Sequence, residues 1–203
     1  TNNLNQSGQT YVAWNWKAGT EVTNNDGTLE AQVSANPEAG FSIATYVGNG
    51  VSGATFGHGL EVAPELVMVK DLDTAFNWVV YSKPVGNTKT LYLNLTALET
   101  SVATWANTTP TASVVSVGVN GLYNNDTTKN HIAYCFTSVE GYSKIGSYTG
   151  NGSTDGPFVY TGFKPAYVMI KKTTGTGSWL LYDDARAPTN SVGNLLYADS
   201  TAA

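Results

Sequence analysis

Residues 64–81, PELVMVKDLDTAFNWVVY, are matched by residues 165–182, PAYVMIKKTTGTGSWLLY, at an offset of 101 residues. Each stretch holds two short apolar runs rich in β-branched and aromatic side chains, separated by a polar or glycine-containing segment. Such runs are strand signals, and the segment between them predicts a connection between two paired strands. A strand pair repeated at a fixed offset predicts a chain built from two copies of one β-rich unit.

The repeat extends on both sides of this stretch. Upstream, SIATYVGNG at residues 42–50 matches KIGSYTGNG at residues 144–152, at an offset of 102. Weaker matches join residues 91–93 to 195–197, and the segment YVAWNW at residues 11–16 to HIAYCF at residues 131–136. The sequence therefore predicts an all-β fold, a β-sandwich of the jelly-roll or concanavalin type built from two diverged repeats.

We place the first β unit at residues 1–140 and the second at residues 141–203, and both one shared sandwich and two domains satisfy the strand pattern. The second copy stops before counterparts of residues 114–117 and 131–136. We therefore expect that the chain continues, or that the second unit borrows a strand from a neighbouring chain. The stretch around Trp14 is the candidate strand.

Composition narrows the possible partners. Charged residues make up 12% of the chain, the net charge is -5, and lysine and arginine are not clustered, which argues against binding to nucleic acid. A hydrophobic content of 41% is enough for a packed core, and the single Cys135 lies in an apolar run that predicts a buried position. We expect neither a membrane span nor a secretion signal, since no long apolar stretch occurs.

Catalytic patterns are missing from the sequence. It contains no Gly-x-Ser-x-Gly turn, phosphate-binding loop or dinucleotide fingerprint, and its acidic residues are scattered through turns. We predict that the protein is not an enzyme and needs no cofactor. We predict no metal site and a turn-stabilising role for His58, because no metal-binding spacing surrounds it and His131 is the one other histidine. The alternative is that His58 is a metal ligand at a site shared between subunits.

Aromatic side chains are the remaining candidates for a binding site. Trp78 and Trp179 recur at equivalent positions of the repeat, which predicts a role in the core. Trp105 and Tyr123 lie outside the repeated blocks among threonine, asparagine and glycine. We predict that these two residues are exposed and bind ligand, since tryptophan and tyrosine stack on sugar rings and dominate protein interfaces.

The chain resembles a β-rich repeat region of structural and tail-fibre-like virion proteins of marine bacteriophages. The residues that carry the resemblance are YVAWNWKAG at 11–19, GFSI at 40–43 with GNG at 48–50, GHGL at 57–60, VEGYSK at 139–144 and GPFVYTGF at 156–163. The resemblance implies a virion component exposed to the medium, within a longer chain and without catalytic residues.

Two functions are expected from these observations. The first is a structural or adhesive virion domain, of a tail fibre, head fibre or decoration type, that assembles with itself or other virion proteins and contacts a glycan of the host surface. The alternative is a carbohydrate-binding module attached to a larger protein. The expected location is the virion, outside the cell.

Overall fold

The structure, a computed structural model, describes residues 6–100, 102–119, 123–187 and 193–200. These residues form an all-β sandwich, which confirms the predicted fold class. The strands are β1 (Glu21–Asn24), β2 (Ala31–Asn36), β3 (Phe41–Val47), β4 (Ala54–Gly57), β5 (Leu66–Asp71), β6 (Val79–Ser82), β7 (Lys89–Tyr92), β8 (Leu98–Thr100), β9 (Val114–Val117), β10 (Asn130–Phe136), β11 (Tyr167–Lys171), β12 (Trp179–Asp183) and β13 (Leu196–Tyr197). Two short 3-10 helices, Pro37–Ala39 and Ala103–Trp105, lie between strands.

An antiparallel sheet of eight strands is the centre of the molecule. Its order is β1-β2-β3-β10-β5-β6-β7-β8, so β10 lies between two strands that precede it in the chain. His131 of β10 is opposite Tyr46 on one side and Asp71 on the other. Successive side chains of β10 alternate between the two faces of the sheet, as the period of a strand requires.

One face of this sheet is covered by the strand pair β4–β9 and by the 3-10 helix Ala103–Trp105. The core on this face contains valine, alanine and aromatic side chains, among them Val67, Ala133, Cys135 and Trp105. Cys135 is fully buried, as its sequence context predicted, and burial raises the pKa of its thiol to about 12. Burial of these apolar side chains is the main force that holds the two layers together.

The opposite face is covered by the three-stranded sheet β11-β12-β13. Trp179 of β12 is buried against Val80 and Leu91, and its indole N–H donates to the Tyr92 carbonyl oxygen at 2.7 Å. Lys171 of β11 donates to the Thr96 carbonyl oxygen at 2.8 Å and lies over the Trp179 ring, 5.8 Å from its centroid. The second repeat therefore packs on the first, while the boundary at residue 140 stays a prediction.

The repeat found in the sequence is visible in the strand order. β11, β12 and β13 follow one another as β5, β6 and β7 do, and both sets are antiparallel. The match fails at residues 144–149, because their counterpart is β3 whereas this segment forms no strand. Trp78 is also half-buried, stacked on Tyr134, whereas its counterpart Trp179 is in the core.

Within the described ranges, no helix has the length and apolar character needed to cross a membrane.

Candidate binding surface

Trp105 is placed in the core, and the prediction that it is exposed is wrong. Its side chain is 1% exposed and meets Tyr81 edge to face, with ring centroids 5.8 Å apart. Trp105 is the last residue of the 3-10 helix Ala103–Trp105, and this helix packs the indole against the sheet. No face of the ring is left for a sugar to stack on.

Tyr123 is half-buried and also packs against this core. Its ring meets Phe76 and Tyr92 edge to face, at centroid distances of 5.6 Å and 5.7 Å. The structure therefore assigns Trp105 and Tyr123 to the same apolar cluster and not to an exposed platform. Sequence context failed here because a polar neighbourhood does not say which way one aromatic side chain points.

His58 is fully buried at the end of β4, where its ring stabilises the local chain. The Leu60 N–H donates to Nδ1 at 3.2 Å, so the ring proton lies on Nε2, which donates to the Thr111 carbonyl oxygen at 3.2 Å. Burial lowers the pKa of His58 and keeps the ring neutral. In the part of the chain that the structure describes, no group of three or more histidine, cysteine or acidic side chains is placed to hold a metal ion.

Large exposed aromatic side chains are concentrated in the second repeat, before β11. Phe158 is 90% exposed and Tyr160 is 78% exposed, and Tyr142 and Tyr148 are more than half exposed. Residues 144–166 contain no strand, so these side chains lie on irregular chain at the surface. A run of exposed aromatic side chains is typical of a surface that contacts another molecule.

A shallow cleft of about 290 Å³ lies beside this run. Its lining residues are Trp16, Lys17, Asn36, Glu38, Ala39 and Tyr142. Trp16 is held by edge-to-face or tilted contacts with Phe41, Phe136 and Tyr167, yet its side chain stays 41% exposed. One aromatic wall is therefore fixed by the sheet and open to solvent.

The opposite side of the cleft is held by two tight turns. The Asn36 side chain accepts from the Ala39 N–H at 3.2 Å and caps the 3-10 helix, which ends at Gly40 with a φ of 62°. A Cβ atom at Gly40 would lie 2.6 Å from the Thr137 carbonyl oxygen, so this close approach requires glycine. Tyr142 is presented by a turn in which its N–H donates to the Val139 carbonyl oxygen at 3.0 Å.

The polar groups of the cleft differ in what they offer a ligand. The Asn36 amide is already used, since it also donates to the Lys17 carbonyl oxygen at 3.1 Å. The charged side chains of Glu38 and Lys17 are exposed at the rim, where the carboxylate accepts hydrogen bonds and the ammonium group donates them. Two open aromatic rings with a carboxylate and an ammonium group suit stacking on a sugar ring and hydrogen bonding to its hydroxyl groups.

A family model described as "Domain of unknown function (DUF7483)" matches residues 1–203. No curated protein and no solved structure matches the chain.

Proposed function

The chain belongs to the DUF7483 family, and we propose that it is a non-catalytic structural and adhesive domain of a virion that assembles with further copies of itself. The observation that carries this proposal is the exposed aromatic run before β11, which includes Phe158 and Tyr160. Leaving such side chains in water forgoes the stabilisation that burial would give, about 1.5–3 kcal/mol for each large apolar side chain. A surface of this kind is best explained by a partner that covers it.

The virion setting rests on the sequence resemblance to repeat regions of marine bacteriophage structural proteins. A net charge of -5 with few charged residues fits a surface that contacts protein or glycan and disfavours contact with nucleic acid. His58, the one histidine considered as a metal ligand, and the single thiol, Cys135, are both buried and neutral, which supports a role without catalysis. The partners proposed are other copies of the chain, other virion proteins and a glycan of the host surface.

Self-assembly is tested by the molar mass of the purified chain in light scattering at micromolar concentration. We expect a defined oligomer, and we expect Phe158→Ser together with Tyr160→Ser to weaken it at least tenfold. Val62→Ser, at another exposed apolar position outside the run, is the matched control and should leave the mass unchanged. A wild-type chain that stays monomeric up to about 100 μM would contradict self-assembly.

Saccharide binding is the second candidate function, and the cleft between Trp16 and Tyr142 is the observation that favours it. A glycan array followed by calorimetry with the strongest ligand is the direct test. Tyr142→Ala should weaken binding about tenfold or more, because it removes one of the two aromatic walls. Tyr148→Ala, which removes an equally exposed ring outside the cleft, should bind as the wild type does.

A further inference from the structure

The outer edge of β11 has no strand partner among the described residues. β11 (Tyr167–Lys171) pairs with β12 along one side, and no other pairing of β11 is formed in those residues. All five side chains of β11 are only partly buried. An unpaired edge exposes a row of backbone N–H and C=O groups and is a ready site for the addition of another strand.

The first repeat shows what fills the equivalent edge. Its counterpart of β11 is β5, and β5 pairs with β6 on one side and with β10 on the other. β10 forms six residue pairs with β5, from His131 opposite Asp71 to Phe136 opposite Leu66. Among the described residues, the second repeat therefore has counterparts of β5 and β6, and no strand occupies the place that β10 takes in the first repeat.

One further segment of the chain carries the sequence pattern of β10. Residues 11–16, YVAWNW, match HIAYCF at residues 131–136, and we call them the aromatic segment. Residues 9–20 form no strand in the structure, and Tyr11 and Trp16 are 51% and 41% exposed. The segment thus has the composition of a strand without the pairing of one.

The aromatic segment already contacts β11 at one residue. Trp14 and Trp16 lie against Tyr167, with ring centroids 5.2 Å and 5.8 Å apart. By the repeat, Trp16 corresponds to Phe136 and Tyr167 corresponds to Leu66, which are opposite each other in the first unit. The contact thus joins residues that the β10–β5 register would pair.

We propose that the aromatic segment of a second copy of the chain adds to the free edge of β11 as the counterpart of β10. Within one chain the segment reaches Tyr167 through its rings and forms no strand with β11. The segment of a second copy is not connected to β1 of the chain whose β11 it meets, so that connection does not restrict how it pairs. Two copies that exchange segments give a closed, symmetric dimer. Backbone hydrogen bonds supply affinity in such strand addition, and the alternating side chains fix the register.

This inference deepens the proposed self-assembly and rests on it. It predicts a register in which Ala13 is opposite Ile170, as Ala133 is opposite Val69, and Asn15 is opposite Val168, as Cys135 is opposite Val67. The test uses two full-length variants, Ala13→Cys and Ile170→Cys, mixed in equal amounts under mild oxidation. We expect a disulfide-linked heterodimer at a yield at least tenfold above either variant alone, since facing Cβ atoms of paired strands lie within disulfide reach.

Two controls make the result specific. Replacing the second variant with Val51→Cys should give no heterodimer above background, because Val51 is exposed at the opposite end of the sheet, where the Asn125 amide donates to its carbonyl oxygen. Asn15→Cys with Val168→Cys repeats the measurement at the pair two residues along the strands in the same register, in case Ile170→Cys disturbs the fold. Cys135 stays in place because it is buried.

The outcomes separate this inference from the proposed function. Heterodimer formation by either pair supports strand exchange. An oligomeric chain that gives no heterodimer with either pair overturns strand exchange and leaves self-assembly standing. An intrachain disulfide in the Ala13→Cys, Ile170→Cys double variant, without linked dimer, also overturns it, because the chain then closes on itself. A monomeric wild-type chain overturns both.

Discussion

Trp105 and Phe158 are both aromatic side chains, but Trp105 is buried and Phe158 is exposed. Trp105 is among the largest fully buried side chains, so Trp105→Ala should cost about 3–5 kcal/mol in the free energy of unfolding. Phe158→Ala, at a side chain that is 90% exposed in the single chain, should change the unfolding free energy of the monomer, measured below the concentration of self-assembly, by less than about 0.5 kcal/mol. Urea denaturation of both variants is the measurement, and equal costs would contradict the burial of Trp105.

The two histidines predict how stability depends on pH. Burial lowers the pKa of both His58 and His131, and for His131 the Asp71 carboxylate, 3.7 Å away, opposes the shift. The unfolded chain therefore binds protons near pH 6.5 that the folded chain does not bind, so stability is full above about pH 7 and falls as the pH decreases through 6.5. Denaturation midpoints between pH 5.5 and 8 measure this slope, and His58→Asn should flatten it.

We expect the reactivity of the Cys135 thiol to report on unfolding. It is fully buried, and burial raises its pKa to about 12, so the reactive thiolate is scarce at pH 8. We expect a thiol reagent to label Cys135 in the folded chain only as fast as the structure around it opens. In denaturant, one thiol per chain should react at once, since the sequence has a single cysteine. Fast labelling of the folded chain would contradict the burial of β10.

At the scale of elements, we expect the same substitution to have different effects on stability at the equivalent tryptophans of the two repeats. Trp179→Ala should cost about 3–5 kcal/mol, because it removes a buried indole and its bond to the Tyr92 carbonyl oxygen. Trp78→Ala should cost less, since Trp78 is half-buried. Hydrogen exchange should accelerate in β11 and β12 of the Trp179 variant and stay slow in β3 and β10. Equal acceleration in both sheets would contradict separate docking of the second sheet.

The strands that sequence could predict are those whose own residues carry the pattern. Apolar runs identified β5, β6, β11 and β12, and their recurrence identified the two units. The counterpart of β3 could not be judged in this way, because a strand also needs neighbours. In β3 the buried Ser42, Ala44 and Tyr46 face the core. Their counterparts are Lys144, Gly146 and Tyr148, and this exchange of small buried residues for lysine and glycine removes much of the reason to enter a sheet.

At the scale of the molecule, the sandwich was predictable and the candidate site was not. Repeated strands with a large apolar fraction have few ways to bury their faces other than to pack in layers. The cleft joins residues 16–17, 36–39 and 142, which are far apart in the chain and meet only after the sheets have formed. The polar neighbours of Trp105 and Tyr123 in sequence predict exposed side chains, whereas tertiary packing places both against the core.

The position of β10 has a consequence for how the protein is made. β10 fills the gap between β3 and β5, yet it is synthesised about sixty residues after β5. Until residue 136 has left the ribosome, the edges of β3 and β5 that pair with β10 stay unpaired. Contacts between residues so distant in sequence form slowly, and open edges invite mispairing during the wait. The yield of folded protein in the producing cell should therefore depend on how fast this stretch is translated. It should also depend on chaperones that cover the two edges until β10 is made.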